Sequence, residues 1–419
     1  LGKEYPEELK LNPIGRELLM TWMGKAQQIR RQNMKVNLVA SKLYSMFRED
    51  GLRCCILKGQ GNALMYPNAY SRNPGDIDVW VNASREYLTE YAKCHFKLED
   101  DIRFHHLETT MDGVPVELHF FPCIMNNPIY NARLQKWFKR NADLQCSNVV
   151  SLPDGIGEIA IPTTAFNVIY QLCHLYHHFF DEGIGMRQII DYFLVVNDFS
   201  KNVFLNNDLS NHPVNFSNHP VPLSKEGSTF SPSPSQWSLH PLRFPRFRGT
   251  ETSGSGDVTA PSRCSEPLRS KDGGPSKVSP DCAGWDRLAI EGDNSATAVT
   301  SSASTALVVV QRELKYLGLW KFAGAVMYVL HEALGLPEEK MIAPMDEKRG
   351  KLLLAEILNG GNFGRHFTKY GHFTQQGMAK KYFLKIWRNM HFVRYYPAEA
   401  LSEPIFRTWH FFWRLKYRR

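Results

Sequence analysis

The stretch from about residue 200 to 306 limits every fold this chain can adopt. Of residues 201–300, 35 are Ser, Pro or Gly, and 11 of the chain's 24 prolines lie there. That composition buries too little apolar surface to offset the entropy of ordering the backbone, so 200–306 is expected to be a disordered insertion. It interrupts a helical pattern: Asp191-Tyr-Phe-Leu-Val-Val precedes it, and helical spacing resumes from Val310. A loop this long inside a domain reads as an insertion, native or arising from disruption of the gene. The folded part must then be assembled from two separated blocks, about 1–199 and 307–419.

The first block mixes helix and strand. Over 8–50, Leu18, Leu19, Trp22, Ala26, Ile29, Val36 and Leu43 recur at helical spacing, and Gly51 ends the pattern as a C-cap would. Cys54-Cys55-Ile56-Leu57 predicts a short buried strand ending at Lys58-Gly59, followed by a helix over 60–66 and a loop from Pro67 to Pro74. Residues 76–81 predict a second strand and 84–95 a helix. Strand-like runs at 104–111 and 114–121 flank Asp112-Gly113, a hairpin signal. Helical spacing returns from Pro162 to about Val196, with Phe166, Ile169, Tyr170, Cys173 and His177 on one stripe.

Chemistry concentrates around Gly75-Asp76-Ile77-Asp78. Side chains alternate faces along a strand, so Asp76 and Asp78 are expected to point the same way. Two carboxylates held together repel unless a cation lies between them, which marks a candidate divalent-metal site. Mg²⁺ takes hard oxygen ligands and keeps several waters, so two or three carboxylates suffice. Glu117 supplies the third if strands 76–81 and 114–121 are neighbours, and His119 shares its face. Gly59 allows close approach of phosphate, the helix that follows offers free N–H groups, and Lys58 and Arg72 carry the charge to neutralise a triphosphate.

The string Leu57-Lys58-Gly59, Tyr66-Pro67, Arg72, Gly75-Asp76-Ile77-Asp78 and Val116-Glu117-Leu118-His119 resembles the uncharacterised nucleotidyltransferase family of the polymerase-beta-like superfamily, as found in bacteria. The resemblance covers about 30–200 and resumes over 310–419. It implies an α+β fold: a small mixed-sheet catalytic core (51–150) after an N-terminal helical segment (1–50), then a helical region (151–199 and 307–419). It also implies Asp76, Asp78 and Glu117 as catalytic metal ligands, with Lys58, Gly59, Arg72 and Gly75 around the nucleotide. The expected reaction is Mg²⁺- or Mn²⁺-dependent transfer of NMP from an NTP to an unidentified hydroxyl-bearing acceptor, with release of pyrophosphate. One departure is visible: where the superfamily has Gly-Ser or Gly-Gly on the phosphate turn, Gly59 is followed by Gln60-Gly61, so no serine hydroxyl is offered there. The alternative is a non-catalytic nucleotide-binding or interaction protein with the same fold.

Other features carry two readings each. His174 and His178, at i and i+4, suit a shared metal, but no His-Glu-x-x-His is present; packing or a place in the substrate pocket is the plainer reading. Arg187 and Asp191, also i and i+4, read first as a helix-surface pair and second as a substrate contact. Gly360-Gly361-Asn362-Phe363-Gly364 lacks the Lys-Ser/Thr of a phosphate loop and reads as a turn. Net charge is +8, and residues 381–419 alone hold nine Lys/Arg against two Glu, with twelve aromatics. That tail is either an amphipathic helix packed on the core or a peripheral contact with anionic lipid; no nucleic-acid module is recognisable. The eight cysteines form no Cys-x-x-Cys, no signal-peptide-like stretch is present, and no apolar run reaches membrane-spanning length, so a cytoplasmic setting is expected. The chain opens on Leu1, which suggests that the natural start lies upstream.

Overall fold

Hydrophobic spacing over the first block builds a long helix and a small sheet, and a computed structural model shows how they combine. It describes residues 15–98, 103–208, 299–360 and 378–417. These belong to one unit drawn from both blocks; a second unit, Val214–Lys277, lies outside the described residues.

Helix α1 (Arg16–Glu49) leads into β1 (Cys54–Leu57), the short α2 (Gly59–Ala63) and β2 (Ile77–Val81). Helix α3 (Arg85–His95) follows, with the Ser84 hydroxyl accepting from Tyr87 N–H as its N-cap. Strands β3 (His106–Met111) and β4 (Val114–His119) meet through Asp112-Gly113, whose φ values of 51° and 72° are those of the two-residue turn that Asp-Gly favours. The sheet order is β1-β2-β4-β3. β1 and β2 are antiparallel, β3 and β4 are antiparallel, and the central β2 and β4 run parallel. The sheet is mixed, as expected, and the two candidate strands are neighbours.

Strand alternation then sorts side chains between two cores. Cys54, Ile56, Ile77, Val79, Val81, Val116 and Leu118 pack with α1 and α3. Cys55, Leu57 and Trp80 face the opposite way, into a larger helical core. That core is built from α4 (Pro128–Ser147), α5 (Thr164–Asp181), α6 (Met186–Asp208), α7 (Val299–Tyr316), α8 (Trp320–Leu334), α9 (Glu347–Gly360) and α11 (Pro397–Tyr417), which α10 (Met378–Met390) precedes in the chain. A two-stranded hairpin, β5 (Val149–Ser151) with β6 (Glu158–Ala160), lies between α4 and α5 in the chain.

Beyond shifts of a few residues at element ends, three boundaries differ from the sequence expectation. The helical stretch 162–196 is two helices, because Gly183 and Gly185 interrupt it and Gly183 takes φ 95°. Asp76 lies one residue before β2, outside the strand. Helix α6 reaches Asp208 and α7 begins at Val299, so only the segment between them, most of the expected insertion, lies outside the described residues. Helices α6 and α7 pack together through Val195, Val196, Phe199, Val310 and Leu314, so the blocks flanking that segment share one core. The expected turn at 360–364 also lies outside the described residues, apart from Gly360 at the end of α9. No helix among the described residues is long and apolar enough to cross a membrane.

Candidate active site

Alternation along β2 and β4 sends Asp78, Glu117 and His119 to the face opposite the aliphatic residues Ile77, Val79, Val116 and Leu118. Asp78 stands in register with Glu117, and Trp80 with His119. This face looks toward α5 and α6 across a cavity of about 370 Å³. Lys58, Gly59, Arg72, Gly75, Asp76, Asp78 and Glu117 all line it, so every residue singled out for nucleotide or metal lies in one place.

The centre is a charge cluster. His119 Nε2 lies 3.1 Å from Asp78 Oδ1 and 3.2 Å from Glu117 Oε2. Lys58 Nζ lies 3.0 Å from Asp78 Oδ1. Lys58 reaches that position from a strained turn, at φ 49° and ψ −125°, which costs about 1–3 kcal/mol and places its ammonium against the carboxylates. Burial opposes the charge on His119, yet the two carboxylates outweigh it and raise its pKa to about 9. Burial likewise opposes the ionised Asp78, and Lys58 and His119 overcome it, holding this carboxyl well below the usual range. For Glu117, burial is outweighed by the His119 hydrogen bond, and its pKa falls. Asp76 behaves oppositely. It is open to solvent through the cavity, but its carboxyl stands among protein charges; the charge of Asp78 first, and burial second, push its pKa up to about 6.

The wall around this cluster is rich in histidine. His106 Nε2 hydrogen-bonds Glu108 Oε1 at 3.2 Å, and its Nδ1 lies 3.3 Å from Glu117 Oε2. His174 Nε2 lies 2.8 Å from Lys58 Nζ and 3.0 Å from His178 Nε2. Burial keeps His105, His106, His174, His177 and His178 neutral, with His106 and His178 each lowered to about 3. His174 and His178 thus both line the cavity, with His174 set against Lys58.

Asp191 takes a different partner from the one its helical spacing suggested. Arg187 does not pair with Asp191 along α6. Asp191 instead takes Arg72 in a two-pronged bond (Nε–Oδ1 3.0 Å, Nη2–Oδ2 2.9 Å) and accepts from the Tyr66 hydroxyl at 2.7 Å. Spatial neighbours from the 67–74 loop outcompete the helical neighbour because a buried carboxylate gains more from a bidentate guanidinium. Arg72 lines the cavity with its charge already matched, while Arg187 Nη2 lies 3.7 Å from where a Cβ on Gly75 would stand.

The C-terminal block completes the wall. Glu403, Phe406, Arg407 and His410, at i, i+3, i+4 and i+7 of α11, form one helix face on the cavity. Arg407 pairs with Glu403 and, at 2.9 Å, with Asp181, which Lys385 also meets at 2.9 Å. Glu399 fastens the start of α11 by accepting from Asn126 N–H (2.6 Å) and Asn127 N–H (3.2 Å). Sequence reasoning missed these contributions. A signal existed only for His106 and Glu108: a two-residue turn at 112–113 fixes His106 opposite His119 and Glu108 opposite Glu117.

The donor set suits a hard cation. Asp78 and Glu117 offer the carboxylate oxygens, and His119 Nε2, within 4.8 Å of them, carries the proton that bridges the two. The proton on His119 and the ammonium of Lys58 supply positive charge at the same carboxylates.

A solved structure with some likeness is an antigenic nucleotidyltransferase-like protein from Paracoccidioides brasiliensis, at 15% identity and a TM-score of 0.26, covering 38% of this chain and 75% of that one. No curated protein matches the chain. Residues 6–210 match the model of a family described as uncharacterised nucleotidyltransferase, which supports a general nucleotidyl-transfer function.

Proposed function

We propose that this protein is a Mg²⁺-dependent nucleotidyltransferase, moving NMP from an NTP to a hydroxyl-bearing acceptor. The observation that carries the reading is the register of Asp78 with Glu117 on parallel strands, facing a cavity that also holds Lys58 and Asp76. Asp76, Asp78 and Glu117 would hold the metal, Mg²⁺ or Mn²⁺, which when bound offsets charge on the phosphate oxygens. Lys58 and the Gly59 turn lie beside the phosphates. The acceptor oxygen forms its bond to the α-phosphorus as the bond to the β-phosphate breaks. The acceptor's proton passes to Glu117, and pyrophosphate leaves. His119 positions Asp78 and Glu117 by bridging them.

The test is transfer of α-phosphate label from each of four NTPs to a panel of hydroxyl acceptors, with pyrophosphate measured. Transfer is expected with Mg²⁺ and lost with EDTA. Inactivity of the wild type throughout would sink the proposal, and tight NTP binding without turnover would replace it with the non-catalytic binder.

The reaction draws on cytoplasmic NTP, and the 381–419 segment favours work at the membrane's inner surface. Leu401, Ile405, Trp409 and Phe412 form an exposed stripe along α11, beside exposed Phe383 and Trp387 on α10. Among the described residues of 378–417, the exposed charges Lys380, Arg394 and Lys416 are all basic, whereas Glu399 and Glu403 are buried. Exposed apolar side chains on a segment whose exposed charges are basic suit anionic lipid. Vesicles rich in phosphatidylglycerol should float the protein and pure phosphatidylcholine should not; Ile405→Glu with Phe412→Glu should abolish flotation. Flotation that ignores both lipid charge and these substitutions would refute the contact.

A further inference from the structure

Five cationic side chains of Lys and Arg line the cavity. Four have carboxylate partners: Lys58 with Asp78, Arg72 with Asp191, Arg103 with Glu108, and Arg407 with Asp181 and Glu403. Arg187 has no carboxylate partner among the described residues, and its Nε is buried without a hydrogen bond. Its guanidinium lies against Gly75, directly before the Asp76–Asp78 pair, where the lack of a Cβ leaves room.

A half-buried guanidinium with an unmet donor is a costly group to keep unless an anion completes it. Its planar fork matches two oxygens of a phosphate. Arg72 also has one buried nitrogen, Nη1, without a hydrogen bond, but what sets it apart is its bidentate Asp191 carboxylate, with which a ligand would have to compete.

We infer that Arg187, and not Arg72, is the guanidinium that binds the polyphosphate of the donor nucleotide. This rests on the nucleotidyltransferase reading and adds a residue to its donor site. Gln188, the next residue of α6, holds the local backbone by accepting from Gly185 N–H at 2.8 Å, so the turn bearing Arg187 is fixed. The contact discriminates by phosphate number: a triphosphate reaches the guanidinium, whereas a monophosphate held near Asp78 lacks the outer phosphates that meet it.

The test is calorimetric titration of the full chain with Mg²⁺-bound NTPs, the matching NMPs, and inorganic pyrophosphate. Arg187→Gln should weaken NTP and pyrophosphate binding about 10- to 100-fold while NMP binding stays within about twofold. Arg187→Lys should fall between, because it keeps the charge and loses the fork. Melting temperatures of the unliganded variants check the fold, and Arg187→Lys carries the test should the glutamine variant fail to fold. Undiminished NTP binding by these variants overturns the inference and leaves the enzyme reading standing. A wild type that binds no NTP overturns both.

Discussion

Asp78→Asn is expected to reduce nucleotidyl transfer by about 10³-fold or more, the equivalent of losing about 4 kcal/mol of transition-state stabilisation. Asp78 is 3% exposed, is held ionised by Lys58 and His119, and stands in register with Glu117 at the centre of the donor set. The amide keeps the shape and removes the charge. The fold is expected to survive, because His119 can answer the loss by releasing its proton; its pKa is raised to about 9 only by Asp78 and Glu117. Asp76→Asn makes the contrast. Its carboxyl is repelled by Asp78, so neutralising it should leave the melting temperature unchanged or slightly higher while transfer still falls. Label transfer and thermal denaturation of both variants check this. An Asp78→Asn protein with near-normal transfer would remove Asp78 from the mechanism.

The same cluster has a pH signature. His119 gains stability from its raised pKa, a contribution complete below about 6.5 and lost as pH rises through about 9. Asp78, whose pKa is depressed, contributes above about 3.9 and loses that contribution as pH falls below it. Between those limits the cluster is fully charged and holds β2 against β4.

Much of the candidate site's face was legible in the sequence because strands obey a period of two. Alternating Ile77, Val79 and Val81 announce one buried face, and Asp78 must then lie on the other. The Asp-Gly turn set the β3–β4 register as firmly. The pairing of β2 with β4 was less accessible, since a parallel neighbour joined through α3 and β3 leaves no local mark. Arg72 and Arg187 show the deeper limit. Both are arginines near one motif, and only the approach of α6 to the 67–74 loop decides which one Asp191 neutralises. The break between α5 and α6 was written in Gly183 and Gly185, but a continuous apolar stripe on both sides concealed it. The cavity wall supplied by α11 was hidden for another reason: about two hundred residues separate Asp181 from Arg407, and helical spacing cannot report a partner that distant.

Asp191→Ala should produce the largest loss of stability among the site substitutions, about 3–5 kcal/mol, because it leaves the Arg72 guanidinium buried and uncompensated. The Arg72 and Asp191 side chains are only 6% and 9% exposed, and the alanine variant also strips the Tyr66 hydroxyl of its acceptor. Asn33 Nδ2 donates to the Arg72 carbonyl at 2.7 Å, so the loop bearing Arg72 is tied to α1 and cannot easily swing the charge into water. Replacing both charges, Arg72→Met with Asp191→Leu, should recover most of the loss, since a well-packed apolar pair avoids the desolvation cost. Urea denaturation of the two single variants and the double variant measures the coupling. A loss for Asp191→Ala below about 1 kcal/mol would mean that Arg72 finds water or another anion and that the pair is not a structural clamp. The nucleotide supplies the last discrimination. With Arg187 as the phosphate contact, saturating NTP should raise the melting temperature of wild type and Asp191→Ala by similar increments. A much larger increment for Asp191→Ala would show the freed Arg72 taking up the phosphates, and would return to Arg72 the role its sequence position first suggested.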